Sequence, residues 1–442
     1  MKRLSIVLST IVLLLAATTL FAAPAVKDLT ILWAQWDPAD YLQQLCADYA
    51  KTAGVTVKIV QEPWGSFQNR FYTAMAANGT EWDMVVGDSQ WLGTGATSGQ
   101  YVELTKFMND NKLTNTVTPA TLQYYGEYPA GSKKYWAFPT EGDACGWAYR
   151  TDLFNDPTEK ANFKAKYGYE LKPPATWKQL YDAAEFFTRP DKQLWGAAIY
   201  TQKDYDALTM GVESVLFSYG VDWWDAKNNA QGMVNSPKAI AAVQMYHDLY
   251  QKFSPPGLSN AFYPEMNDTY VNGKAAMVMN YFAFLPAVTN KQLDPKYFDK
   301  SGYFVNPAGP DGKQFAALGG QGTSILAYVS KERQQASMDW IKWFAGDTVQ
   351  AKWAALGGYT CNIKALQSKA FLEGQPYNAA FAKTMTMVKD FWNIPAYGPL
   401  LSASQSWIHN YVVGNVGTAK EAMDGMAAEQ QKVLVDGGYI KK

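Results

Sequence analysis

Residues 85–93 read VVGDSQWLG, and the run Asp88-Ser89-Gln90-Trp91 within them could serve either of two kinds of chemistry. Gly-Asp-Ser behind a buried strand is how one class of hydrolases presents a serine nucleophile, which then needs a histidine base from an Asp-x-x-His pair. The chain has two histidines; at that spacing His247 follows Gln244 and His409 follows Ser406, so neither forms the pair. The carboxylates of Asp88 and Asp143 could instead flank a glycosidic bond. The second kind of chemistry is capture. Acidic, hydroxyl and amide groups beside a flat indole suit a ring-shaped ligand with polar edges. Two further segments have the same make-up, Ala34-Gln35-Trp36-Asp37 and Glu62-Pro63-Trp64. Each delivers a tryptophan together with an acid or an amide.

The surrounding pattern says what positions these three segments. Residues 29–33 (LTILW) predict a strand. Asp37-Pro38 then supplies a cap and a first-turn proline for a helix that aligns Leu42, Leu45, Cys46 and Tyr49 and stops at Gly54. Val55, Val57 and Ile59 alternate as a second strand, and Phe67, Phe71, Ala74 and Met75 recur at helical spacing. Residues 83–86 (DMVV) are too apolar for an exposed edge and predict a buried third strand. Such a β-α-β-α-β run winds right-handed into a parallel sheet, whose ligands sit beyond the carboxyl ends of the strands. The three loops therefore meet at one rim. Trp36, Asp37, Trp64, Asp88, Ser89, Gln90 and Trp91 are the candidate pocket residues there, with Trp91 expected to stack on the ligand. Further along, residues 177–187 predict a helix capped by Thr176, and residues 196–200 and 275–281 predict buried strands. A helix over residues 339–344 should turn Trp340, Ile341, Trp343 and Phe344 to a core.

The first 25 residues carry Lys2 and Arg3, an apolar run over 6–15, and Phe21-Ala22-Ala23-Pro24-Ala25. That is the pattern of an export signal cleaved near Ala25, with no cysteine nearby to carry a lipid. Its loss leaves 37 basic against 40 acidic residues, a net charge near −3. No basic footprint for nucleic acid results. Only 18% of residues are charged while 15% are aromatic, a surplus that suits a site gripping ligands through flat faces. Cys46, Cys145 and Cys361 are an odd number without a CxxC, so they read as buried thiols. With two histidines, metal sites and histidine catalysis are poorly supplied, and no cofactor is expected.

The order of the segments resembles one family, the extracellular solute-binding proteins of carbohydrate ABC importers, the group that includes maltose-binding protein. The likeness is carried by LTILWAQWDPAD, WDMVVGDSQWLG, FPTEGDACGWAYRTDLF, PATWKQLYDAAEFFT, NGKAAMVMNYFAF, TSILAYVSKERQQASMDWIKWFAGDTVQAKW and NIPAYGP. It implies a two-lobed α/β fold of the type II periplasmic-binding-protein kind, each lobe a mostly parallel sheet flanked by helices. One lobe would comprise residues 26–138 plus 304–356, the other 139–303 plus 357–442. By the same resemblance Gln90, Asp143, Tyr205, Tyr281, Gln321, Tyr359 and Tyr397 (the last chosen over Trp392) would face the cleft. A monomeric, periplasmic protein that is not a lipoprotein would hand a sugar or polyol to membrane permease subunits, without catalysis or metal. The alternative is an exported GDS-type serine hydrolase or glycoside-acting enzyme, and a binding protein that signals to a receptor stays open.

Overall fold

The computed structural model describes residues 26–203 and 206–440; the leader at 1–25 and Tyr205 lie outside them. The chain first lays down β1 (Asp28–Ala34), helix α1 (Asp37–Ala53), β2 (Thr56–Glu62), helix α2 (Trp64–Ala76) and β3 (Met84–Asp88). The first-turn proline and the Gly54 stop act as expected, but the cap falls one residue early, at Trp36, and makes no side-chain hydrogen bond. Trp36 is extended at the α1 N-cap, Pro38 sits in its first turn, and Gly54 closes it at φ 69° with its N–H on the Ala50 carbonyl. Leu42, Leu45, Cys46 and Tyr49 are the buried face. Every residue of β3 is buried.

The chain then crosses through β4 (Phe138–Glu141) into β5 (Cys145–Arg150), and continues with β6 (Trp195–Ala198), β7 (Ala275–Tyr281) and β8 (Ser301–Val305). It returns through the short β9 (Ala316–Ala317) into β10 (Gln321–Ile325), and crosses again at β11 (Val388–Lys389), which pairs with β9. Two sheets result, β2-β1-β3-β10-β4 and β6-β7-β5-β8. Each forms the centre of one lobe of an α/β fold.

Each sheet is mostly parallel, as expected, with one strand that runs against the rest. β1 runs parallel to β2 and β3, but β10 is antiparallel to β3 and β4. In the second sheet β6 and β7 are parallel while β5 is antiparallel to β7 and β8. The cause is the crossing. A parallel neighbour needs a crossover helix to bring the chain back to the starting edge. β5 and β10 arrive from the other lobe and start at the cleft, so they run away from it. Gln321 accordingly pairs with Asp88, and Cys145 with Tyr281.

The helix Lys331–Phe344 is tied to the first sheet by Arg333, which donates to the buried Asp83 carboxylate at 2.5 and 2.8 Å while the Thr30 N–H donates to the same group at 2.8 Å. Its Trp340 is fully buried and stacks on Phe344 at 5.3 Å. Trp343, expected beside them in the core, is only partly buried and lies against Tyr49 at the core margin, 5.0 Å between rings. Cys46, Cys145 and Cys361 are buried, unpaired thiols. No helix among the described residues is long and apolar enough to cross a membrane.

Candidate functional site

Because β1, β2 and β3 are parallel, their carboxyl ends lie side by side. The residues just beyond them bring Trp36 and Trp64 into an edge-to-face pair, 5.4 Å between rings. They form one wall of a cavity of about 480 Å³ between the lobes, within the range of about 300–1,000 Å³ usual for small-molecule sites. Asp88, Ser89 and Gln90 continue the same wall. The second lobe supplies the opposite wall through Tyr281 at the end of β7, Phe284 just after it, and Phe262 and Tyr263. The crossing segments supply the floor, with Asp143, Gly319, Gly320, Asp390 and Phe391. Gly320 is required there. A Cβ on it would stand 2.1 Å from the Tyr125 hydroxyl and 2.3 Å from the Glu141 carbonyl oxygen.

The polar groups are held from behind. Trp33 Nε1 donates to Gln321 Oε1 at 2.5 Å, and Gln321 Nε2 donates to Asp88 Oδ1 at 2.5 Å. Gln321 thus orients Asp88 from outside the cavity. Asp143 accepts the backbone N–H groups of Ala144 at 2.8 Å and Ala283 at 3.2 Å. Gln90 reaches across the cleft, its Nε2 donating to Asp206 Oδ2 at 3.2 Å and to the Tyr397 hydroxyl at 3.3 Å. The Tyr397 hydroxyl also donates to Asp206 Oδ2 at 3.3 Å. Trp36 meets Phe284 across the same gap, 6.5 Å between rings.

Burial dominates the electrostatics. It pushes the carboxyl groups of Asp143 and Asp206 well above the ordinary range, and that of Asp390 up to about 7. The Asp88 charge raises Asp206 and Asp390 further. Among the described residues no lysine, arginine or histidine lines the cavity.

The expected residues thus divide. Trp36, Trp64, Asp88, Ser89, Gln90, Asp143 and Tyr281 line the cavity. Gln321 and Tyr397 stand behind it and hold Asp88 and Asp206. Trp91 is a correction. It is 1% exposed and lies flat on Phe71 at 5.3 Å, with Phe67 at 4.9 Å. The single turn Ser89–Trp91 that follows β3 swings it inward under α2, so it packs the core and stacks on no ligand. Asp37 and Tyr359 are also displaced. They line a separate cavity of about 440 Å³, and the Tyr359 hydroxyl is spent on the Phe282 carbonyl at 2.9 Å. Tyr205 falls outside the described residues, although its neighbour Asp206 lines the wall.

Sequence reasoning passed over Asp206, Asp390, Phe391, Phe262, Tyr263 and Phe284. Phe391 stands beside Trp392, which instead packs on Trp223 at 4.5 Å. The signal for Phe284 was present in the segment NYFAF, three residues beyond Tyr281.

Neither histidine approaches Ser89. His247 pairs with Asn415 at 2.9 Å and stacks on Tyr411 at 4.4 Å, and His409 belongs to the helix Tyr397–Val412. The Ser89 hydroxyl donates to Gln90 at 3.1 Å. Two α/β lobes on crossing segments, enclosing an aromatic cleft edged with acids and amides, define a solute-binding protein. A model of the bacterial extracellular solute-binding proteins matches residues 35–351, and the chain belongs to that family. Over 340 residues it is 28% identical to a "probable ABC transporter-binding protein" of Deinococcus radiodurans, covering 74% of each chain. Its fold is shared with an ABC transporter solute-binding protein from Agrobacterium radiobacter K84 in complex with ribitol, with a TM-score of 0.77 and 21% identity over 93% of this chain and 99% of that one. It is equally similar to the maltose-bound MalE3 of T. maritima, at a TM-score of 0.77 and 21% identity over 92% and 100%.

Proposed function

We propose that the protein captures a sugar or polyol in the interlobe cavity and delivers it to the permease subunits of an ABC importer. It does so as a monomer in the periplasm, without a lipid anchor, after losing its leader near Ala25, and it turns nothing over. Its lobes are residues 26–138 plus 304–356 and 139–303 plus 357–442, closing about the crossing segments. One observation carries this reading: the cavity combines aromatic faces from both lobes, Trp36 and Trp64 against Tyr281 and Phe284, with the acids and amides Asp88, Gln90, Asp143 and Gln202. Ring C–H faces lie on such walls, and hydroxyls fill such polar edges. The ribitol and maltose held by the two structural relatives are of this class.

The test is a thermal-shift screen of the exported protein against neutral and amino-substituted sugars and polyols, followed by small-angle scattering with any ligand found. A ligand at about 100 times its Kd should add about 2.7 kcal/mol of stability, and the radius of gyration should fall as the lobes close. A screen in which no sugar or polyol, neutral or amino-substituted, raises the melting temperature would refute the proposal.

A further inference from the structure

We propose that the solute is a hydroxylated amine, a sugar or polyol carrying a protonated amino group. This rests on the capture reading and narrows it. Four carboxyl groups from four separate segments line the one cavity: Asp88 at the end of β3, Asp143 between β4 and β5, Asp206 ahead of the helix Ala207–Ser218, and Asp390 just past β11. Among the described residues no basic side chain lines it with them. Gathering acids in a desolvated space is costly, and here the cost is visible as mutual repulsion. The Asp88 charge disfavours ionisation of Asp206 and Asp390, and both of these act on the buried Glu213. A neutral solute leaves these acids protonated, whereas a cationic one favours their ionised form.

A second observation points to where the charge sits. Asp206 is 3% exposed, and while its Oδ2 accepts from Gln90 and Tyr397, its Oδ1 has no hydrogen-bond partner. A buried carboxylate oxygen left bare costs a substantial fraction of its solvation. An ammonium supplies both the missing donor and the opposite charge. The rings of Trp36, Tyr263, Tyr281 and Phe284 line the same space, and aromatic rings attract cations.

The geometry also separates the classes of cation. Among the described residues no three Asp, Glu, His or Cys groups stand close enough together to hold a metal ion, so the acids are spread at the scale of an organic molecule. Gln68, Asn69 and Gln202 border the same cavity, and these amides match hydroxyls, which an alkyl polyamine lacks.

The test uses pairs that differ only by an ammonium for a hydroxyl: glucosamine against glucose, and 1-amino-1-deoxysorbitol against sorbitol. Binding is measured by calorimetry near pH 6.5. The amine should bind at least about tenfold more tightly than its hydroxyl partner, and Asp206→Asn should shrink that ratio by about tenfold or more. The wild-type ratio decides by itself, so a poorly folding variant does not spoil the experiment. Equal or tighter binding of the hydroxyl member, or tight neutral ligands with no gain from an amine, would overturn this inference and leave sugar capture standing. No binding by either pair or by the neutral library would overturn both.

Discussion

Asp390 allows the electrostatic account of the cavity to be measured in the empty protein. Burial raises its carboxyl from an ordinary 3.8 to about 7, against the opposing effect of a hydrogen bond from the Phe391 N–H. A carboxyl that binds its proton more firmly folded than unfolded favours the fold fully below the unfolded pKa. That advantage is lost as pH rises through the folded value. Held across about three pH units at about 1.36 kcal/mol each, the proton accounts for on the order of 4 kcal/mol in total. About 2 kcal/mol of this falls between pH 5 and pH 7. Asp390→Asn cannot titrate, so its stability should decline less over that interval. The assay is urea unfolding of wild type and variant, without ligand, at half-unit steps from pH 5 to pH 8. The other buried acids titrate in both proteins, so the difference between the two curves reports Asp390 together with the effect of its charge on Asp206 and Glu213. Parallel curves would refute the burial of this carboxyl.

Three further substitutions separate wall from core and test the floor. Trp91→Ala should cost roughly 3–5 kcal/mol of stability and reduce binding only through unfolding, whereas Trp36→Ala should weaken binding by roughly one to two orders of magnitude with little change in melting temperature. Calorimetry and thermal unfolding of both variants decide, and the reverse pattern would exchange the two assignments. Gly320→Ala places a methyl 2.3 Å from the Glu141 carbonyl, and overpacking of this kind costs typically 1–3 kcal/mol; a variant that melts with the wild type would show that the floor can give way.

Much of the first lobe was legible because its signals are local. The periodicities of residues 29–86, the Asp37-Pro38 start and the Gly54 stop describe the β-α-β-α-β run, and parallel strands place three loops at one rim. Trp36 and Trp64 are on the wall for that reason. Trp91 failed because a strand end gives the position of a side chain, while one tight turn decides whether it points to solvent or under the neighbouring helix. Asp206, Asp390 and Phe391 were not legible since they reach the cavity from segments more than a hundred residues from the rim, and tertiary packing alone sets their approach. The direction of β5 and β10 was hidden for a related reason. It depends on which lobe the chain has just left, and residue patterns within a strand carry no record of that.

The placement of β10 has a consequence for how the molecule comes to exist. It lies between β3 and β4, the two strands it separates having been made some two hundred residues earlier. Until residue 325 is available the first sheet has a vacant slot one strand in from its edge, with the β3 and β4 backbones facing each other across an unfilled ladder. An emerging chain therefore cannot finish its first lobe before it has passed through its second. Sequence-distant pairings of this kind fold slowly, and unpaired strand edges invite pairing with other chains. The two lobes are, in assembly, a single indivisible unit. A fragment ending at residue 300 should accumulate as an aggregate instead of a small folded domain.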